Sequence, residues 1–301
     1  MRPPRPALLA LAALAVLAGC RAGGPDAAGA VTDDLGRAVD VPRPVASVLP
    51  LAPNVTELVA AAAGVGRLAG VARADDFPPG VGALPRFQSY PLDTEAVVAL
   101  APALAVGSDD VNPTDQADGL AALGVPTYLF AFDEVADVPR ALRTLDTLLA
   151  TSGGAAAAAA FERRVEDVER AVRPFARPRV LLLVGDETLY AFGRDSYASE
   201  LVRLAGGDNV TDAFPGRAAQ PSAEAVLAAA PEVVVVLAGA GYDAERLFRR
   251  HPTFLDLPAV RDGRVYGLDA DLVSRAGPRL AEGLERLARL LHPEAFAAGA
   301  A

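Results

Sequence analysis

Glu95 and Glu224 stand at the same place in two copies of one phrase. Asp93–Val106 reads DTEAVVALAPALAV and Ser222–Val235 reads SAEAVLAAAPEVVV; seven of the fourteen aligned positions are identical. Each copy opens on a capping residue, continues as a short helix, turns at Ala-Pro and enters an apolar strand. A glutamate in the first helical turn complements the positive end of the helix dipole, worth about 0.3–1 kcal/mol. That accounts for one such acid. Two of them, in one phrase repeated 129 residues later, point to a chain made of two like halves. A second echo runs in the same order: Thr56-Glu57-Leu58-Val59 and Ser199-Glu200-Leu201-Val202.

Other reactive residue types are scarce. His251 and His292 are the only histidines, and His292, in LLHPE, sits where it can meet the last carbonyls of a helix. Neither has a second His at ligand spacing, whereas a bare zinc or manganese ion needs several His and carboxylates to converge. The stretch GVGRLAG at 64–70 is glycine-rich, but it follows a helix and precedes a strand, the reverse of what phosphate binding needs. The chain has no Gly-x-Ser-x-Gly elbow, no P-loop and no cysteine nucleophile. The reading is a binding protein and not an enzyme. An enzyme would show turnover, and a non-transport surface or scaffold lipoprotein would lack an enclosed cleft.

The chain has 301 residues, 52% hydrophobic and 22% charged, enough for one large domain or two ordinary ones with a real core. Its net charge is −10, every basic side chain is Arg, and no basic stripe marks a nucleic-acid surface. Arg2 and Arg5 precede an apolar run, Ala7–Ala18, too short for a stable membrane span. It ends in Leu17-Ala18-Gly19-Cys20, with the only cysteine of the chain. This resembles the lipobox of bacterial lipoproteins, which are cleaved before the cysteine and lipidated on it. Acyl chains partition at about 0.8 kcal/mol per CH₂, so two or three of them anchor firmly. Loss of Arg2 and Arg5 with the leader takes the formal charge from −10 to −12. The expected protein is a soluble body tethered outside the cytoplasmic membrane, at the periplasmic or extracellular face.

Short, continuously apolar runs predict buried parallel strands at 45–52, 68–72, 104–106, 127–131, 179–184, 233–238 and 264–268. Helices are expected between them. Asn54 caps 55–63, with Gly64 as the stop, and Asp93 caps 94–101. Asp133 opens a helix to about 149, with Pro139 as a kink or break; further helices run at 196–205, 222–230 and 279–291. Alternating strands and helices give an α/β class. At 155–175, AAAAAAFERRVEDVERAVRPF spaces its apolar residues helically and forms a rod about 30 Å long. It lies between the two strand groups, as a spine joining two lobes.

In order and spacing, these segments resemble the iron-chelate and vitamin B12 substrate-binding proteins of ABC importers. The segments are VTDDLGRAVDVP at 31–42, SVLPLAPNVTELVAAAAGVGRLAGVARADDFPP at 47–79, the two glutamate phrases, GRDSYASELVRLAGGDNV at 193–210 and the tail at 258–296. Pro102 is followed by Ala103 where members of that family often have Asp. The resemblance implies two similar Rossmann-like α/β lobes joined by one long helix, with ligand in the cleft between them. The expected division is a leader at 1–19, a tether at 20–30, lobes at 31–152 and 178–301, and the linking helix at 153–177.

The resemblance also implies that Glu95 and Glu224 dock on arginines of a two-fold permease, one per lobe, served by ATPase subunits. It implies a monomeric carrier with no cofactor of its own, whose cargo is a metal chelate. Cleft candidates are Asn54, Asp76, Phe77, Phe87 and Tyr90 in the first lobe, and Tyr190, Phe192, Arg194, Tyr197 and Arg275 in the second. Tyr90 leads the group: a phenol stacks on a corrin or porphyrin face, or ligates ferric iron if the cargo is haem. Arg194 and Arg275 can pair with ligand carboxylates or phosphate, although Arg275, in RAGPR ahead of the last helix, also suits a structural role. Cobalamin or another corrinoid is the first choice of cargo, with ferric siderophore or haem as the alternative. The absence of Trp leaves Tyr and Phe to do any stacking.

Overall fold

The computed structural model describes residues 29–238 and 242–299; the leader, Cys20 and the tether up to residue 28 lie outside the described residues. Gly29 and Ala30, expected in the tether, already belong to the first strand.

The first half opens with an antiparallel hairpin, β1 (Gly29–Thr32) and β2 (Ala38–Val41). It continues through β3 (Val48–Pro50), α1 (Pro53–Ala63), β4 (Val71–Ala72), β5 (Arg86–Phe87), α2 (Thr94–Ala99), β6 (Leu104–Ser108), α3 (Thr114–Ala122), β7 (Thr127–Phe130) and α4 (Asp137–Leu149). The long helix α5 (Gly153–Val172) follows. The second half runs β8 (Arg179–Val184), β9 (Ala191–Phe192), α6 (Tyr197–Leu204), β10 (Asp208–Asn209), β11 (Ala218–Ala219), α7 (Ala223–Ala229), β12 (Val233–Ala238), α8 (Glu245–Arg250), α9 (Pro258–Arg261), β13 (Val265–Asp269) and α10 (Leu280–Leu291).

The sheets repeat one plan. In the first lobe β3, β6 and β7 lie side by side and parallel. In the second, β8, β12 and β13 do the same. Apart from β13, which is partly exposed, these strands are buried on both faces, which explains their apolar runs. Val180, Leu182, Val233 and Val235 face the core shared with α5, while Leu181, Leu183, Val234 and Val236 face a second cluster on the other side. The shared core runs from the first lobe through Phe161, Val168 and Val172 of α5 into α10. The spine is therefore packed into both lobes along its length.

The repeated phrase forms the same local structure twice. Asp93 accepts the Ala96 N–H at 3.0 Å and Ser222 accepts the Ala225 N–H at 3.2 Å. Ala101 and Ala230, each just before a proline, take left-handed φ values of 45° and 46°. Val97 and Val226 anchor the two helices in the core, and Glu95 and Glu224 are exposed at the second helical position of each.

Several element ends shift from expectation, as at β3 and β4, which are shorter than the runs that predicted them, and two of the shifts bear on packing. The helix predicted from Asp133 begins at Asp137, whose carboxylate instead accepts the N–H groups of Asp133 and Glu134 at 2.9 Å. Pro139 then falls in the first turn, where its missing N–H costs nothing and no kink results. The spine begins at Gly153, at the expected start of the linking segment and two residues ahead of the 155–175 rod, and ends earlier than either, at Val172. Its first N–H groups find no cap of their own. Asp146 of α4 supplies one, accepting from Gly154 at 2.8 Å and Ala155 at 2.7 Å. The glycines let α5 come this close: a Cβ on Gly154 would lie 2.1 Å from the Leu142 carbonyl oxygen, and one on Gly153 would lie 2.6 Å from that of Ala62. An exposed helical Gly→Ala change ordinarily stabilises by about 1 kcal/mol. Gly154→Ala should reverse that sign and destabilise by about 3 kcal/mol through overpacking, read as a lower urea midpoint in equilibrium unfolding.

Candidate functional site at the seam between the lobes

Parallel sheets leave their binding groups in loops beyond the carboxyl ends of the strands. Here those ends meet at the seam between the lobes. Beyond β3, Asn54 donates from Nδ2 to the Ala276 carbonyl of the second lobe at 3.4 Å. Asn54 lies inside α1 with Ala52 at the cap position, so its amide serves the seam and does not cap the helix. Beyond β4, Asp76 meets Arg275 at 2.8 Å, and the Phe77 ring carries the Arg279 guanidinium 4.2 Å from its centroid. Beyond β6 and β7, Asp109 and Asp110 bind Arg217 at 3.0 and 2.6 Å, and Asp133 binds the same guanidinium.

The expected site residues divide. Asn54, Asp76, Phe77 and Arg275 come together at one end of the seam. Tyr90 is 79% exposed, with its backbone carbonyl accepting from Gln88 at 2.6 Å. Tyr190 and Phe192 are half-buried, and Arg194 is exposed with Asp195 at 3.9 Å. Phe87 does not face a cleft. It is 1% exposed in the first-lobe core, because β5 pairs with β4 and turns the ring inward. Tyr197 is a core residue as well, 7% exposed and packed on Phe192 with ring centroids 6.4 Å apart. Burial pushes its phenol above the ordinary range, and the nearby Asp110 adds to that. His292 is buried, and its Nε2 lies 3.1 Å from the Gly206 carbonyl, not against its own helix end.

Arg217, Asp109, Asp110 and Asp133 are functional candidates that the sequence did not single out. The paired acids directly beyond β6 were the available signal, since strand ends are where such loops bind. Arg217 carried none. Burial, reinforced by Asp109 and Asp133 and opposed by Arg217, pushes Asp110 up to about 6. At the other end, hydrogen bonding to Arg275 holds Asp76 below its ordinary value. Among the described residues, no group of three or more His, Cys, Asp or Glu is arranged to hold a metal ion. Cavities of about 420 and 440 Å³ lie behind the second lobe, around Phe175 and His292, and on the outer side of α5, around Arg163 and Glu285; neither includes a predicted ligand residue.

Two lobes of one plan, parallel strand ends facing across a seam, and a single helix behind them match known proteins. A sequence model described as periplasmic binding protein matches residues 50–272. The chain belongs to that family. A vitamin B12-binding protein of Vibrio parahaemolyticus is 27% identical over 240 residues, covering 79% of this chain and 86% of the relative. An uncharacterized ABC transporter substrate-binding lipoprotein of Bacillus subtilis, YvrC, is 24% identical over 276 residues, covering 88% and 86%. Among solved structures, the vitamin B12-binding protein BtuF of Vibrio cholerae superposes with a TM-score of 0.74 at 24% identity, covering 84% of this chain and 99% of that one. The haem-binding protein BhuT, in complex with two haems, gives 0.74 at 26%, covering 83% and 99%. The family binds and delivers and does not catalyse, and its members work outside the cytoplasm.

The Asp110 shift has a testable sign. Between its ordinary 3.8 and about 6, the folded chain holds a proton that the unfolded chain has released. Stability therefore falls as pH rises through that window. Arg217 and Asp133 face Asp110 from the two lobes, with Asp109 and Tyr197 beside it. Asp110→Asn should melt higher than the native chain at pH 7.5, with the gap narrowing below about pH 6 and closing only near pH 3.8. Scanning calorimetry across that range checks it.

Proposed function

We propose that this chain is the substrate-binding component of an ABC importer and that its cargo is cobalamin or a related corrinoid. The charge state of the seam carries the choice of cargo. Arg275, expected to meet ligand carboxylates, is already held by Asp76 at 2.8 Å, Asp271 at 2.9 Å and Glu57 at 3.6 Å. Arg217 is held by three aspartates. A chelate that presents carboxylates meets guanidiniums already neutralised and acids in excess. A corrinoid presents mainly amides, which pair with acids and carbonyls without adding charge. The curated relatives named above as vitamin B12-binding agree with this reading.

Haem or a ferric siderophore is the second reading, favoured by the exposed Tyr90 phenol and the likeness to BhuT. In either case the metal arrives inside its chelate, and the chain needs no cofactor of its own. Glu95 and Glu224, exposed at equivalent positions of the two lobes, would each meet one subunit of a two-fold permease. Such charged contacts set register and encounter more than affinity. At Glu224 the local backbone N–H and the Ser222 hydroxyl hold the carboxyl below its ordinary value, so the charge persists in mild acid. Lipidation at Cys20 would keep the carrier beside that permease.

Calorimetric titration with cyanocobalamin, haemin and a ferric hydroxamate separates the readings. Cobalamin should bind with a Kd below about 10 μM, roughly −7 kcal/mol. Tyr90→Ala should weaken it about five-fold, the worth of one aromatic stack of about 1 kcal/mol, while Tyr90→Phe changes little. Haemin binding that is lost in Tyr90→Phe, with no cobalamin heat, overturns the first reading. Replacing Glu95 and Glu224 together with Ala should abolish uptake by cells and leave the calorimetric affinity unchanged; normal uptake rejects docking through these acids.

A further inference from the structure

The second echo, Thr56-Glu57 and Ser199-Glu200, supplies no docking acid and no predicted ligand residue, although Glu57 lies 3.6 Å from Arg275, and its geometry is reciprocal. In each lobe the hydroxyl stays at home. Thr56 donates to Asp75 at 2.6 Å, and Ser199 donates to Asp212. The glutamate that follows crosses to the other lobe. Glu57, on the first helix of the first lobe, accepts from Arg279 Nε at 2.9 Å and Nη2 at 2.6 Å. Arg279 is the cap residue immediately ahead of α10, the last helix of the second lobe. Glu200, on the first helix of the second lobe, accepts the Val135 N–H at 2.7 Å. Val135 lies two residues ahead of α4, the last helix of the first lobe.

We infer that Glu57 and Glu200 are a pair of reciprocal braces that set the spacing of the two lobes. Each first helix holds the start of the other lobe's last helix, so opening the seam must break both contacts. The two braces differ in chemistry. Glu57 is 1% exposed at its side chain and faces a guanidinium, so this brace needs a negative charge. Phe77 closes the guanidinium from above at 4.2 Å. Glu200 is half-buried and faces a neutral backbone donor, so that brace needs only an acceptor oxygen. These are positioning residues, and their role does not depend on which chelate the seam receives.

The test measures lobe spacing directly. Spin labels at Leu123→Cys in the first lobe and Leu255→Cys in the second occupy exposed positions, in full-length protein carrying Cys20→Ser. Pulsed dipolar spectroscopy then gives the distance distribution. Glu57→Gln should lengthen and broaden it. Glu200→Ala should do the same, while Glu200→Gln, which keeps the acceptor, should match the unmodified chain. If Glu57→Gln does not fold, the Glu200 pair carries the test alone, since Glu200→Ala frees only one backbone N–H. An unchanged distribution in Glu200→Ala, even with a lower melting temperature, overturns the proposal: the contact would then stabilise without positioning. Equal broadening in Glu200→Gln and Glu200→Ala overturns it as well, because the acceptor would not be what matters.

Discussion

Everything in this fold hangs from the start of α5, which is fixed by a carboxylate and two missing side chains. A helix that begins against other helices must satisfy its first N–H groups without water. Asp146 does this from α4, and its charge also suits the positive end of the helix. Gly153 and Gly154 remove the atoms that would collide with the Ala62 and Leu142 carbonyls. The spine therefore leaves the first lobe in one direction only. From there Phe161, Val168 and Val172 continue the first-lobe core into the second. Arg143 with Glu162, and Arg164 with Glu285, tie its flanks to α4 and α10. Exposed pairs of that kind add little energy; the shared apolar core is what makes the two lobes one object.

The seam obeys the opposite rule. Behind it the lobes share apolar surface, whereas across it they share almost only charge and hydrogen bonds. Arg217 gathers three aspartates at one end, and Arg275 and Arg279 gather Glu57, Asp76 and Asp271 at the other. Exposed polar contacts of this sort can be exchanged for water or for a polar ligand at small net cost, the buried Glu57–Arg279 pair excepted, while an apolar seam would resist parting. The hinge side is built to stay closed and the mouth to trade partners. A carrier that must take up and release a bulky cargo needs that division.

Sequence patterns revealed what depends on neighbours along the chain. Arg179–Val184 and Val233–Ala238 were read at their true boundaries because each is an unbroken β-branched or leucine run. The caps at Asp93 and Ser222 were legible because a capping side chain bonds three residues ahead. The caps expected at Asn54 and Asp133 failed although they are local; the other failures depended on direction or on distance. Phe87 and Tyr197 were placed in the cleft because aromatic residues near strand ends suit one; whether a ring turns inward is set by pairing with β4 or packing on Phe192, which no local pattern encodes. Of the charged seam only Asp76 and Arg275 were named from the sequence; the rest was invisible for a simpler reason. Asp133 and Arg217 are 84 residues apart, and Glu57 and Arg279 are 222 apart.

The two echoes in the chain also show why a repeat can hold its residues while changing their use. Glu95 and Glu224 keep the same setting in both lobes: a capped short helix, an exposed second position, a buried valine two residues on and a left-handed alanine before proline. The cap differs, Asp93 in one lobe and Ser222 in the other, but both acids face solvent. Glu57 and Glu200 keep the same address in sequence, but each looks into the opposite lobe, and there the surroundings differ. One finds a guanidinium under an aromatic ring, the other a bare N–H. Burial raises the Glu57 carboxyl above its ordinary value even with Arg279 beside it, so this brace is the more costly to charge and the more specific in partner. A two-fold relation between lobes thus gives two identical outer acids and two unequal inner ones. The outer pair suits a symmetric partner; the inner pair lets one end of the seam hold harder than the other.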